Sequence, residues 1–412
     1  MIVPAKTDVR SVTACIGGNF LYRMSAEATA ITLGLYLSYI NNNIHPISAF
    51  VVGIIGTGYY IIQMLAAPLA GAASDRTGRK TMLLLGPAIS VVVVLLYPAT
   101  ALVPVIFLLL TLEGLNAALR APAALSYLSD VTAHSVTGSG RVMGIYQMTI
   151  LGSMVAGYVM GGFAWDRAGL EGFRAIALVY LAGVAVILFA LRPYPPVTTE
   201  SRHTLHDYLR VATHPSVLRF LPAWVGLNAI LSAWLSQTTF QLSAKTTVVN
   251  QALLGRFTGL QIGLILAVVA VLFAAGTVGW GFMIGKLTKL RIMMIATTGV
   301  YLCCVALFVI NRAPQSGLSG AAGPLLTLAV ATLTLGVTLQ SGFTPAAFAY
   351  LGDVSGQFRA DRGAIIGMYY LFLSAGQLLG IWLGGVAAHI AQLDGLIILT
   401  VILTTAVFAT LL

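Results

Sequence analysis

Gly71-Ala-Ala-Ser-Asp75-Arg76-Thr-Gly78-Arg79-Lys80-Thr-Met-Leu83 is a compact charged turn between two long apolar runs, residues 50–70 and 82–102. A helix that crosses a bilayer needs about 20 apolar residues, and each run is long enough. The link between them is too short for anything but a tight hairpin at a membrane surface. Gly78 permits the bend, and Asp75 is placed to cap the helix that begins near the turn.

Composition extends this reading to the whole chain. Hydrophobic residues make up 58% and charged residues 8%, whereas a soluble domain carries roughly a quarter charged residues. Apolar runs predict about twelve spans, at 13–40, 48–70, 82–102, 104–128, 142–163, 173–191, 218–242, 258–283, 291–310, 325–350, 364–388 and 394–412. The runs are continuous rather than alternating, so they predict helices and not barrel strands. The 43 glycines suit close helix packing in lipid.

The net charge of +10 does not call for nucleic acid. With the N-terminus inside, the predicted inner segments hold most of the Lys and Arg, among them Lys6, Arg10, Arg76, Arg79, Lys80, Arg141, Arg192, Lys286 and Lys289. The outer loops hold Arg167, Arg174, Lys245, Arg256 and Arg312. That asymmetry is the positive-inside rule, with both termini cytoplasmic. The start of the chain, with Lys6, Asp8 and Arg10, reads as a short cytoplasmic tail and not as a cleavable signal. Cys15, Cys303 and Cys304 lie in or near spans without metal-ligand spacing, and the six histidines form no ligand or triad pattern. No Gly-Lys-Ser/Thr phosphate loop is present, so ATP is not the expected energy source. No enzyme activity, metal or cofactor is expected.

The polar stretch around residues 193–217 divides the chain into two six-helix bundles, 1–192 and 218–412, with 193–217 as a cytoplasmic linker. Part of that linker, residues 204–212, reads as a short surface helix. The halves are related: Ala121-Pro-Ala-Ala-Leu-Ser-Tyr-Leu-Ser-Asp130-Val recurs as Thr344-Pro-Ala-Ala-Phe-Ala-Tyr-Leu-Gly-Asp353-Val, 223 residues later. The same offset carries Gly144 onto Gly367, Tyr146 onto Tyr369, Gly157 onto Gly380, and Gly161-Gly162 onto Gly384-Gly385. Internal duplication of this kind is how many secondary transporters are built, with the substrate site near the midplane.

The hairpin string (Gly, three residues, Asp-Arg, one residue, Gly-Arg-Lys, an apolar residue) resembles the loop signature of the major facilitator superfamily. Helix count, linker and repeat extend the resemblance over the whole chain, toward the twelve-helix drug:proton antiporter branch. It implies an all-α integral membrane fold of two pseudo-symmetric six-helix bundles. It also implies that Asp75 and Arg79 join neighbours in a cytoplasmic latch favouring the outward-open state. Gly71, Arg76, Gly78, Lys80, Asp130 and Arg141 belong to that latch. Asp353 is the repeat counterpart, expected beside Arg359, Asp361 or Arg362. Gly157, Gly161, Gly162, Gly380, Gly384 and Gly385 form the small-residue faces on which helices pack.

Ionisable residues deep in a span are costly and usually face a cavity or a partner. Arg23 and Glu27 lie one turn apart on the first span. Glu113, Asn116 and Arg120 share a stripe on the fourth. The family's first and fourth helices line the central cavity, so both stripes are expected to face one water-filled space. A carboxyl that alternates between a neutral acid and an Arg-paired anion can exchange a proton for substrate. Glu27 and Glu113 are the proton-coupling candidates, tuned by Arg23 and Arg120; the plainer reading is a structural Arg23–Glu27 pair. The second half offers Trp224, Asn228, Ser232, Trp234, Gln237 and Gln340 as cavity positions, and the second helix offers Tyr59, Tyr60 and Gln63. Polar side chains in spans also serve as helix-packing glue.

Two positions depart from the family. The fourth-helix signature has an Arg where this chain has Leu110. The antiporter signature of the fifth helix runs Gly, three residues, Gly-Pro, two residues, Gly-Gly; here Ser153, Gly157, Tyr158, Gly161 and Gly162 stand in register, with Tyr158 at the Pro position. The repeat has Ile381 there. The leading expectation is a monomeric carrier in a bacterial inner membrane, exporting a lipophilic or amphipathic small molecule in exchange for protons by alternating access. Uptake of a nutrient or lipid-like metabolite is the alternative, with Arg23 or Arg120 binding a carboxylate. A third reading is a non-transporting sensor or assembly factor on the same fold.

Overall fold

A computed structural model describes residues 9–132, 136–193, 215–246, 248, 250–313, 323–357 and 362–412. Lipid offers backbone amides no partner, so each apolar run satisfies its own N–H and C=O groups as a helix. In chain order the helices are α1 (Val9–Asn43), α2 (Ala49–Thr77), α3 (Arg79–Leu96), α4 (Val103–Thr132), α5 (Val136–Ala168), α6 (Gly172–Ala190), α7 (Pro215–Ser243), α8 (Gly259–Met283), α9 (Lys289–Asn311), α10 (Gly323–Gln340), α11 (Phe343–Gln357) and α12 (Arg362–Leu411). No β-strand occurs among the described residues. Among the described residues, eight stretches are long and apolar enough to cross a membrane. Three of these, Arg141–Ala190, Gly323–Tyr350 and Leu371–Leu411, each run through two α-helical segments. The linker expected at 193–217, with its surface helix, lies almost wholly outside the described residues.

The α2–α3 hairpin turns on a single residue. Gly78 sits at φ 93°, a conformation that disfavours any residue with a Cβ. It is the N-cap of α3 and brings no side-chain cap with it. The preceding helix α2 continues through Asp75 to Thr77, and the cap expected from the Asp75 side chain falls outside the described side chains. A second sharp turn divides α12, where Ala391 (φ −142°) and Gln392 (φ 52°) leave helical geometry. Gln251 clamps that turn. Its Nε2 donates to the Ala391 carbonyl and its Oε1 accepts from the Leu393 N–H, each at 3.1 Å.

The chain divides into two compact units. One takes the described parts of Met1–Ile40, Ile55–Glu200 and Thr258–Val268; the other takes those of Asn41–Ile54, Ser201–Phe257 and Val269–Leu412. In the first unit α5 lies backbone-close on α1. A Cβ on Gly157 would stand 2.6 Å from the Met24 carbonyl oxygen, and one on Gly161 would stand 2.6 Å from that of Ala28. Thr32 Oγ1 donates to the Gly161 carbonyl at 3.2 Å across the same contact. In the second unit α12 meets α7 in the same way. A Cβ on Gly380 would collide with the Ala229 carbonyl, and one on Gly384 would lie 2.8 Å from the Ala233 Cα.

The second glycine of each pair faces elsewhere in its own unit. Gly162 meets the backbone of Gly259 at the start of α8, and Gly385 meets that of Gly53 near the start of α2. The 223-residue register seen in the sequence is thus a register of packing. Gly71, by contrast, has open space around its Cβ position.

These contacts predict that Gly380→Ala lowers the melting temperature of the detergent-purified protein, at a cost of about 1–3 kcal/mol for overpacking. Gly281→Ala, whose Cβ position is open, is expected to leave it unchanged when both are followed by tryptophan fluorescence.

Candidate functional site

The polar residues of α1, α2, α4 and α5 converge in the first unit. Arg23 Nη2 lies 3.9 Å from Glu27 Oε1, and the two side chains remain 25% and 23% exposed. Arg120 of α4 is 4% exposed and donates from Nη1 to Asn19 Oδ1 of α1 at 2.6 Å. It also lies within Coulombic range of Glu27, with Arg23. Tyr59 of α2 lies against α4, where a Cβ on Gly114 would collide with the Tyr59 carbonyl. From α5, Gly157 lies against Glu27: a Cβ on it would stand 2.7 Å from the Glu27 Cβ. Several buried polar atoms here have no protein partner: Asn19 Nδ2, the Tyr22 hydroxyl, Arg23 Nε and Arg120 Nε. Buried polar atoms are ordinarily hydrogen-bonded, so this group is suited to meeting a polar ligand atom.

The fourth-helix stripe does not face one space. Glu113 and Asn116 are 4% and 2% exposed and turn toward α3 and α6. Glu113 Oε2 accepts from Ser90 Oγ at 2.8 Å and from the Tyr180 hydroxyl at 3.4 Å. Asn116 packs against Gly86, where a Cβ would stand 2.8 Å from its Oδ1. Spacing by three and four residues puts side chains on one face of a helix without saying which neighbour that face meets. Only Arg120 reaches α1.

The expected cavity positions of the second half are largely taken up by packing. Trp224, Asn228, Ser232 and Gln237 are buried. Asn228 donates to the Trp224 carbonyl at 2.8 Å, and Ser232 donates to the Gln377 carbonyl at 2.8 Å. Gln237 Nε2 reaches the Ala49 carbonyl at 3.1 Å. The Trp234 indole N–H donates to Thr400 Oγ1 at 2.8 Å. Gln340 lies beside Cys303, its Oε1 3.9 Å from the thiol sulfur. Ser232, Trp234 and Gln237 thus bond to other helices, Asn228 bonds back to its own, and Gln237 Oε1 stays buried without a protein partner. On α2, Gln63 keeps a buried Oε1 with no protein partner, beside the Tyr59–Tyr60 pair whose ring centroids are 5.0 Å apart.

At the hairpin end Arg79 Nε pairs with Asp130 Oδ2 at 3.1 Å, both nearly buried, and Arg79 Nη1 donates to Ser74 Oγ at 3.3 Å. Lys80 Nζ serves a different helix, donating to the Leu188 and Leu191 carbonyls at 2.8 and 2.7 Å where α6 ends. Cations suit a helix C-terminus in this way. Arg76 and Arg141 are exposed. Asp353 pairs with Lys289, at the start of α9. Arg359 and Asp361 lie outside the described residues, as does the Arg362 side chain. Each half thus pairs the first cation of one helix (α3, α9) with the repeated Asp, but only the first pair is buried.

Asp166, near the end of α5, went unnoticed in the sequence. Its Oδ1 and Oδ2 accept from the Gly259 and Leu260 N–H groups at 2.7 and 2.8 Å, capping α8 across 93 residues. An aspartate at a helix end was its only sequence signal.

An all-helical, polytopic membrane protein with a duplicated packing scheme and a charged cluster deep in one unit has the make-up of a membrane transporter. The family model described as Major Facilitator Superfamily matches residues 15–322. The chain belongs to that superfamily, and it is a transporter rather than an enzyme. Among curated relatives, Multidrug resistance protein 2 of Bacillus subtilis is 25% identical over 82% of this chain and 80% of its own length. Multidrug resistance protein 1 of the same organism is also 25% identical, over 84% and 82%. Tetracycline resistance protein, class E, of Escherichia coli is 30% identical over 39% of the chain and 38% of its own length. The nucleoside transporter NupG shares the fold at a TM-score of 0.75 and 14% identity, over 97% of this chain and 98% of that one. A bacterial homologue of the lysosomal transporter Spinster does so at 0.69 and 15%, over 98% and 94%.

Breaking a buried ion pair leaves an uncompensated charge and costs about 3–5 kcal/mol, whereas an exposed pair contributes about 0–1 kcal/mol. Asp130→Asn is therefore expected to destabilise the protein strongly in thermal unfolding, and Asp353→Asn, 65% exposed, hardly at all.

Proposed function

We propose that the chain is a proton-coupled exporter of small lipophilic or amphipathic molecules, working by alternating access in a bacterial plasma membrane with both termini inside. Its two six-helix halves, 1–192 and 218–412, act as the moving bodies, joined by the linker 193–217, and the carrier functions as a monomer. The observation that carries the reading is Glu27. It is a carboxyl in mid-helix, a quarter exposed, paired with Arg23 at 3.9 Å and within reach of Arg120. An intramembrane carboxyl with access and with cationic partners can take up a proton when substrate leaves and release it when the ion pair re-forms. The apolar make-up of the spans supports a lipophilic cargo, and the curated relatives named as multidrug resistance proteins support export.

Glu113 lies behind this site, engaged by Ser90 and Tyr180, so we assign the coupling to Glu27 and a bracing role to Glu113. In proteoliposomes with a trapped pH dye, tetraphenylphosphonium or a neutral lipophilic dye is expected to trigger proton movement. Glu27→Gln should abolish that movement, and Glu113→Gln should retain at least half of it. Loss in Glu113→Gln with full activity in Glu27→Gln would transfer the coupling to Glu113. A signal of the opposite sign would make the protein an uptake carrier.

A further inference from the structure

Helices α1 and α5 touch at one end of their contact and part at the other. Gly161 and Gly157 lie on the α1 main chain, where a Cβ on either would stand 2.6 Å from the carbonyl oxygen of Ala28 or Met24. At Gly152 the contact is reduced to the Phe20 ring, 3.7 Å from a Cβ. Beyond it, toward the end expected to face the cytoplasm, a cavity of about 290 Å³ opens between the two helices. Val9, Val12, Thr13 and Ile16 of α1 line one wall, and Val142 and Ile145 of α5 line the other. The Thr13 hydroxyl is the one polar side-chain group among these six. All six are β-branched and stiff at χ1, so the walls keep their shape and do not swing in to fill the space.

The groove is continuous with the charged site. Glu27 follows Val9 by 18 residues, about five turns of helix, so the two stand on one face of α1. Along that face the first charged group beyond Ile16 is Arg23, seven residues on, or about 10 Å. Arg23 Nη2 lies 3.9 Å from Glu27 Oε1, and its Nε is buried with no protein partner. We propose that the α1–α5 groove is a docking site for the apolar body of an amphipathic cargo, whose polar end meets Arg23 and Glu27. The inference rests on the reading of the chain as an exporter of such molecules. Pockets that enclose whole small molecules run to ~300–1,000 Å³. This one lies at the lower bound, so it takes one hydrocarbon or aryl arm and not an entire molecule. An arm arriving from water gains by leaving it, and two stiff walls offer closer packing than fluid lipid tails do.

The test compares methyl- and decyltriphenylphosphonium, which share a head and differ in the apolar arm, in proteoliposomes with a trapped pH dye. In wild type the decyl compound should reach half-maximal proton movement at the lower concentration. Ile16→Trp, which fills the groove, is expected to shrink that advantage about tenfold, the value of roughly two buried methylenes. Partition into the bilayer is common to both proteins and cancels. Leu178→Trp, at an exposed apolar position of α6 outside the groove, should keep the full advantage. Binding is read directly from Ile145→Cys labelled with bimane in nanodiscs, the native cysteines being buried. The decyl compound should shift the bimane emission saturably, and should still do so with Glu27→Gln added. An unchanged decyl advantage in Ile16→Trp, or no saturable shift, would overturn the inference. Quenching of the bimane by brominated acyl chains, undisturbed by the decyl compound, would also overturn it by making the occupant a lipid tail. A saturable shift without proton movement in the unsubstituted protein would instead remove the exporter reading and leave the groove as a binding site.

Discussion

Backbone-to-backbone contact at glycine is the constraint on which the rest of this protein depends. Lipid tails are as apolar as leucine, so helices in a bilayer gain little from hiding apolar side chains and associate through close packing instead. Gly157 and Gly161 bring α5 onto α1, and Gly380 and Gly384 bring α12 onto α7. Once those main chains touch, the polar groups nearby have little freedom. Glu27 must lie beside Gly157, and Ser232 must lie beside Gly380 and donate to the Gln377 carbonyl.

The packing is duplicated and the chemistry is not. The first half places Arg23, Glu27 and Arg120 together, with unpartnered polar atoms on Asn19 and Tyr22. The second half fills the corresponding helix faces with Asn228 and Ser232, which bond to main-chain carbonyls. The hairpin ends show the same asymmetry: Arg79–Asp130 is buried, and its counterpart Lys289–Asp353 stands in the open.

The hairpin, the spans and the 223-residue register were legible because lipid imposes long apolar runs and glycine faces that leave a direct trace in composition. The break in α12 falls between the two predicted spans for the same reason. The pairing of Asp353 with Lys289 was not legible because Lys289 sits 64 residues away on another helix. Asp166 was missed because a cap across 93 residues leaves no local pattern. The seventh-helix face of Trp224, Asn228 and Ser232 meets a glycine helix, a neighbour that its four-residue spacing does not specify.

By itself, the sequence determined the superfamily, the helical membrane fold, the repeat and the rarity of charge at Arg23, Glu27, Glu113 and Arg120. All of these follow from the cost of placing polar groups in hydrocarbon. Tertiary structure alone decided which of those charges meet. Glu113 turned to Ser90 and Tyr180, and Arg120 turned to Asn19. The physical reason is that helical periodicity assigns a side chain to a face, while the neighbour that face meets depends on how closely another helix can approach.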